Sequence, residues 1–337
     1  MESGGGIGCG SGSSITDGLL SVVQPPRTTA NPWGALLPPS GLATALETEI
    51  QVVVFCLNEP SRWGSHPGTE RRARARLGKA IRAITLFADA GSRALYVYLK
   101  LRNKFVPRRA PRMVWLKCRD LPPVAVRSHT ADLAVLVDTL LEQYHRPPAG
   151  IGAPSSILDL GSNIGLTLLD YARVFPQARL FGVELDPDNY SVLSVNTASI
   201  GPRCKAMCAA VWHQNGVVSY GGASEAGYRV SSAPQRSSEK GTARAITVSE
   251  ALDQAGFDHV DYLKMDIEGA ESVVLPHSAQ WMARVGCLKV EIHAPYSVDQ
   301  CMADLRLAGW HCERDDRHSA CVTAWNPQYH SMAPPPR

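Results

Sequence analysis

A chain of 337 residues, 45% of them hydrophobic, has room for one large or two ordinary domains, so a full core is within reach. The net charge of +3 conceals a block: residues 61–120 hold 16 Lys/Arg against 3 Asp/Glu, and the remainder 18 against 28. The longest apolar runs, such as Val52 to Leu57, argue against a membrane-spanning helix, and no basic start leads into an apolar secretory signal.

Nine cysteines, at 9, 56, 118, 204, 208, 287, 301, 312 and 321, are scattered and odd in number, with no C-x-x-C pair. Cys204-x-x-x-Cys208 lacks the second pair that would finish a zinc site. Reduced, mostly buried thiols in an intracellular, cytoplasmic protein are the expectation, with no metal assigned.

Residues 1–45 are rich in Gly, Ser, Pro and Thr and are expected to form a disordered tail. They are poor in acids, as a transit peptide is, but Arg27 is their only basic residue. Residues 46–123 read as a basic N-terminal extension or small subdomain. Within it the patterns predict a strand at Gln51–Leu57, a loop at Pro60–Arg72 and a basic amphipathic helix at Arg74–Leu86. A strand at Ala94–Leu99, a Pro- and Arg-rich turn and a short strand at Met113–Lys117 complete it. The basic block suits an anionic partner, nucleic acid or lipid, but has no zinc-finger, RNP or Gly-Arg pattern; a solvated face is the favoured reading.

Asp132–Tyr144 places Leu133, Val135, Leu136, Leu140 and Leu141 on a helical period, and His145-Arg-Pro-Pro-Ala-Gly-Ile-Gly152 then breaks the chain. From residue 155 short apolar strands alternate with helices. Strands are expected at Ile157–Leu160, Leu180–Glu184, Cys204–Val211, Val217–Tyr220, Tyr262–Asp266 and Leu288–Ile292. Helices are expected at Pro187–Ala198 and Ser297–Ala308. This alternation means an α/β fold, a mostly parallel sheet with helices on both faces. Gly221–Lys240 reads as a mobile loop near the ligand crevice, Ala320–Trp325 as an antiparallel edge strand, and 329–337 as a flexible tail.

The most informative run is Ser156-Ile-Leu-Asp-Leu-Gly-Ser-Asn-Ile-Gly-Leu-Thr167, a strand, glycine turn and helix. Its G-x-x-x-G spacing is neither the G-x-G-x-x-G of a dinucleotide site nor a P-loop. Asp159 ends the strand where open sheets bind ligands; Gly161 and Gly165 allow close backbone approach, and Asn163 can donate or accept. Glu184, 25 residues beyond Asp159, closes the next strand, placed to accept from ribose hydroxyls. A nucleoside without a pyrophosphate fits better than NAD, which points to S-adenosyl-L-methionine.

A second cluster is Asp261-Tyr-Leu-Lys-Met-Asp-Ile-Glu-Gly-Ala-Glu271. An apolar strand delivers Lys264 and Asp266 to one face at its carboxyl end, and continuation adds Glu268. These groups can bind a polar acceptor, tune a hydroxyl or hold a cation; a structural Lys264–Asp266 ion pair is the bland alternative. Lys289-Val-Glu-Ile-His293 repeats the device, with Glu291 and His293 on one face and His293 a candidate general base near neutral pH. His213 reads as a loop residue beside the nucleoside base.

Together these stretches resemble the FkbM-type S-adenosylmethionine-dependent methyltransferases. The likeness covers roughly 124–325, within a domain expected at 124–328, and rests on Asp159-Leu-Gly-Ser-Asn-Ile-Gly165, on Val183-Glu184 with Pro187, Asn189 and Asn196, on Leu263-Lys-Met-Asp-Ile-Glu-Gly-Ala-Glu271 and on Val290-Glu-Ile-His293. Val126-Arg-Ser-His-Thr-Ala-Asp132 resembles the family's lead-in, with Ala131 departing from its usual Thr-Ser-Asp. His213 stands where an acidic residue is usual. The resemblance implies a seven-stranded Rossmann-like class I methyltransferase domain that methylates hydroxyls of sugars or small molecules. By it, Asp159, Gly161, Asn163 and Gly165 would surround the methionine moiety and Glu184 the ribose, while Lys264, Asp266, Glu268 and His293 would face the acceptor. Competing expectations are N-methylation of RNA or protein docked on the basic block, and a non-catalytic binding module of the same fold.

Overall fold

The computed structural model describes residues 78–105, 110–222, 227–231 and 239–329. The expected tail at 1–45, the strand at 51–57 and the loop at 60–72 lie outside them. Of the basic helix at 74–86, residues 78–85 are helical.

Next comes α1 (Ala90–Phe105), which corrects the strand expected at Ala94–Leu99. The Tyr-Val-Tyr run favours a strand locally. Asp89 overrides it by accepting from the Ser92 N–H at 2.7 Å, an N-cap contact that starts the helix. Leu95, Tyr96 and Leu99 then bury one helix face. The hairpin of β1 (Met113–Leu116) and β2 (Val124–Arg127) and α2 (Asp132–Glu142) follow. One apolar cluster joins Phe87, Leu99 and Leu116 to Val126, Leu136 and Ile164, across residue 123.

The central sheet is built from β3 (Ser156–Leu160), β4 (Arg179–Glu184), β5 (Cys204–Cys208), β10 (Val260–Met265), β11 (Val285–Glu291), β12 (His311–Arg314) and β13 (Cys321–Trp325). Their spatial order is β12-β13-β11-β10-β3-β4-β5. The five strands from β11 to β5 run parallel. β13 is antiparallel as expected, but it lies between β11 and β12 and is not the edge. β3 is buried at all five positions, which is why it reads as one apolar run.

α3 (Leu166–Val174), α4 (Pro187–Thr197), α5 (Val248–Ala255), α6 (Glu271–Val274) and α7 (Val298–Leu307) connect these strands. Pro187 opens α4 and the Asp186 carboxylate caps it; Ser297 and Gln300 form a capping box on α7. β6 (Ala210–Val211), β7 (Gly216–Gly221), β8 (Arg229–Ser231) and β9 (Glu239–Ile246) form a four-stranded flap. Part of the Gly221–Lys240 stretch expected as loop is therefore strand. No helix among the described residues is long and apolar enough to cross a membrane. After β3 the chain builds toward β5, then returns to build β10 and β11 on the other side. The carboxyl ends of β3 and its neighbours therefore border the switch-point crevice where open sheets bind ligands.

Candidate active site

At the end of β3 the chain turns sharply through Gly161. Its φ is +83°, and a Cβ there would sit 1.7 Å from the Asp266 carbonyl oxygen. Only glycine allows the β3 and β10 turns to approach this closely. Asn163 follows at φ 48° and donates its N–H to Glu184 Oε2 at 2.8 Å. Glu184 Oε1 accepts from the Asp186 N–H at 2.9 Å and Asn189 Nδ2 at 3.2 Å. Burial pushes its carboxyl up to about 7 against those donors.

Two crevices open beside this turn. One, of about 570 Å³, includes Glu184, Leu185, Ala210, Val211 and, from the flap, Tyr228 and Val230. The other, of about 730 Å³, includes Tyr144, Lys264, Glu291 and His293. Gly161, Asn163, Asp266 and Glu268 line both and form the wall between them.

Asp159 and Gly165 stand behind this wall. Asp159 is wholly buried; its Oδ2 accepts from Thr167 Oγ1, and its Oδ1 lies 3.2 Å from Lys264 Nζ. Gly165 gives close packing room to Leu193 and Thr197, where a Cβ would approach to 3.1 Å. His213 stacks on His277 with ring centroids 5.3 Å apart and is in neither lining.

Lys264 Nζ also donates to the Gly161 carbonyl at 3.1 Å and lies 3.4 Å from Asp266. Burial opposes its charge, but Asp159 and Asp266 outweigh burial and hold it protonated. His293 Nδ1 is 3.1 Å from Oε1 of the buried Glu271, with Nε2 3.5 Å from Glu268 and 3.8 Å from Asp266. Burial works against the imidazolium, but Glu271 and the other two carboxylates raise His293 to about 9. Glu268 is pushed up to about 7 by burial and the Asp266 charge. The candidate ligand atoms of Asp266, Glu268 and His293 lie within 4.8 Å of one another. Pairing of the His293 imidazolium with both carboxylates accounts for that spacing, so no metal is assigned.

Sequence reasoning gave Glu271, Tyr144 and Tyr228 no chemical role, and singled out Glu291 only for sharing a face with His293. Glu271 and Glu291 sit inside the two charged motifs, so the signal was there; Tyr228 reaches its crevice through a flap held by the pairing of β9 with the distant β6.

The first crevice carries groups that a nucleoside could use: a buried carboxylate able to accept from hydroxyls, and Leu185, Ala210 and Val211 as an apolar shelf. Residues 159–315 match the family described as the methyltransferase FkbM domain. None of the curated proteins compared with the chain matches it. Among solved structures, it is similar to precorrin-6y C5,15-methyltransferase from Geobacter metallireducens. That pair shares 12% identity and a TM-score of 0.36, covering 56% of this chain and 87% of the other. The METTL16 methyltransferase domain gives 12% identity and a TM-score of 0.37, with 70% and 80% covered. Aeropyrum pernix fibrillarin with natively bound S-adenosyl-L-methionine gives 16% identity and a TM-score of 0.35, with 66% and 86% covered.

Proposed function

We propose that this chain, an S-adenosylmethionine-dependent methyltransferase with an FkbM domain at residues 159–315, methylates a hydroxyl oxygen of a small molecule or sugar. The observation that carries this reading is the shared wall. Gly161, Asn163, Asp266 and Glu268 line both the crevice with the Glu184 carboxylate and apolar shelf and the polar crevice beside it. A donor and an acceptor held there would meet across it.

When bound, S-adenosylmethionine supplies a methyl group made electrophilic by a positively charged sulfur. The chain's own residues orient the attacking hydroxyl and remove its proton. Transfer to the hydroxyl would form the oxygen–carbon bond and break the carbon–sulfur bond, whose electron pair would stay with sulfur, and the hydroxyl proton would pass to a base of this chain. Near neutral pH that base is Glu268, at about 7, rather than His293, which at about 9 is still an imidazolium. His293 steadies the Glu268 carboxylate from 3.5 Å, and Lys264 holds the Gly161 carbonyl and Asp266 in place.

Calorimetric titration with S-adenosylhomocysteine, with NAD as control, tests the cofactor side. A radiolabelled methyl donor offered to alcohols, amines and RNA tests the acceptor side. Label incorporated only into amines or RNA would refute the hydroxyl assignment.

A further inference from the structure

We propose that Glu291 anchors the acceptor: its Oε2 takes an O–H or N–H donor of the acceptor other than the group that is methylated. This rests on the methyl-transfer reading and narrows its substrate side.

Glu291 is the last residue of β11 and lines the polar crevice with Tyr144, Lys264 and His293. Its Oε2 is buried and has no hydrogen-bond partner among the described residues. An unpaired buried carboxylate oxygen is unfavourable, so one at a ligand crevice marks a place for a donor. His318, Lys264 and His293 act on the Glu291 carboxylate only as charges at a distance, and the Tyr144 hydroxyl beside it leaves Oε2 unpaired. Lys264 is held by Asp159 and the Gly161 carbonyl, and His293 Nδ1 by Glu271. Lys289, two residues earlier on the strand, is bonded to Asp315 at 2.6 Å and to the carbonyls of Tyr144 and Arg146. Burial and the nearby Asp266 charge raise the Glu291 carboxyl, an imbalance that a ligand donor relieves.

The spacing restricts the acceptor. Glu291 and His293 are two residues apart, roughly 6 to 7 Å of extended chain. An anchor at Glu291 and a reacting hydroxyl beside Glu268 and His293 are therefore within reach of one small molecule with two polar groups. A diol and an amino alcohol share this chemistry; a monohydric alcohol lacks it.

The full chain, loaded with S-adenosylhomocysteine, is titrated with cis-1,2-cyclohexanediol, cis-2-aminocyclohexanol and cyclohexanol by saturation-transfer NMR. We expect the diol or the amino alcohol to bind at least about tenfold more tightly than cyclohexanol, the tighter of the two identifying the anchored donor. Glu291→Gln should remove most of that margin while binding S-adenosylhomocysteine as the wild type does. Equal affinities in the wild type, no saturable binding of either bifunctional probe, or an unchanged margin in the variant would each overturn the anchor. The wild-type comparison decides by itself should the variant not fold. Failure of the wild type to take up S-adenosylhomocysteine would instead refute the methyl-transfer reading, and the same probes on the unloaded chain would still judge Glu291.

Discussion

Glu271 holds His293 by its Nδ1 at 3.1 Å while the same buried carboxylate accepts the N–H groups of Ile267 at 3.1 Å and Gly269 at 2.7 Å. One side chain thereby sets the imidazole and the turn that presents Glu268, itself at φ 54°. Its neutral isostere, Glu271→Gln, should lower the His293 titration midpoint from about 9 toward the ordinary 6.5, by more than one pH unit in NMR. A midpoint unmoved in a folded variant would show that Glu271 does not govern the imidazole.

The same shift makes stability depend on pH. A histidine whose folded-state value is raised contributes stability that is fully present below its unfolded value of 6.5 and lost as pH rises through about 9. Glu268, also raised, acts in the same direction at lower pH: its contribution is present below 4.5 and lost as pH rises through about 7. Urea unfolding should therefore show His293→Ala narrowing its stability gap from wild type by about 1 to 2 kcal/mol between pH 6.5 and 9.5. A constant gap across that range would contradict the assignment.

Gly161 and Gly152 offer a controlled pair. Both have positive φ, +83° and +67°, but a Cβ at Gly152 meets nothing within 4 Å while one at Gly161 meets the Asp266 carbonyl oxygen at 1.7 Å. Gly152→Ala, at φ +67° and ψ −149°, should cost about 1 to 3 kcal/mol from conformation alone, and Gly161→Ala should cost more and abolish S-adenosylhomocysteine binding as well. Equal unfolding midpoints for the two variants would show that the close approach is not what requires glycine at 161.

Short, doubly buried strands such as Ile157–Leu160 are legible in the sequence because burial on both faces demands an unbroken apolar run. The edge strand His311-Cys-Glu-Arg314 has no such run, and β9 spends much of its length on polar residues. Ala94–Leu99 misleads because its aromatic and β-branched residues favour a strand, while the deciding Asp89 cap lies outside the run. At the site, spacing places Asp159 at the end of a strand but does not say which way its carboxylate turns. That depends on register: β10 sets Lys264 directly beside Asp159, and the ammonium holds the carboxylate behind the turn. The partners of Glu271 and the exposure of Tyr228 to the crevice likewise depend on contacts between distant segments.

Asp159 and Lys264 should accordingly behave as a coupled pair. Lys264→Met leaves a wholly buried carboxylate without its cation, at a cost of about 3 to 5 kcal/mol. Adding Asp159→Asn removes the stranded charge and should restore at least about half of that loss, a coupling measurable by a double-mutant cycle in denaturant. Strict additivity would mean that the two groups do not depend on each other.

If Glu184 receives the ribose as proposed, cofactor affinity should itself depend on pH. Burial brings its carboxyl to about 7, although Asn163, Asp186 and Asn189 all donate to it. An ionised carboxylate is the stronger acceptor for ribose hydroxyls. S-adenosylhomocysteine affinity should therefore rise several-fold between pH 6 and 8, following loss of that proton. Glu184→Gln keeps the shape and cannot ionise, so its affinity should be about tenfold weaker at pH 8 and flat across the range. Calorimetry at three pH values separates the outcomes, since a wild-type curve as flat as the variant's would remove Glu184 from nucleoside recognition. A pH response retained in the variant would move the titrating group elsewhere in the crevice.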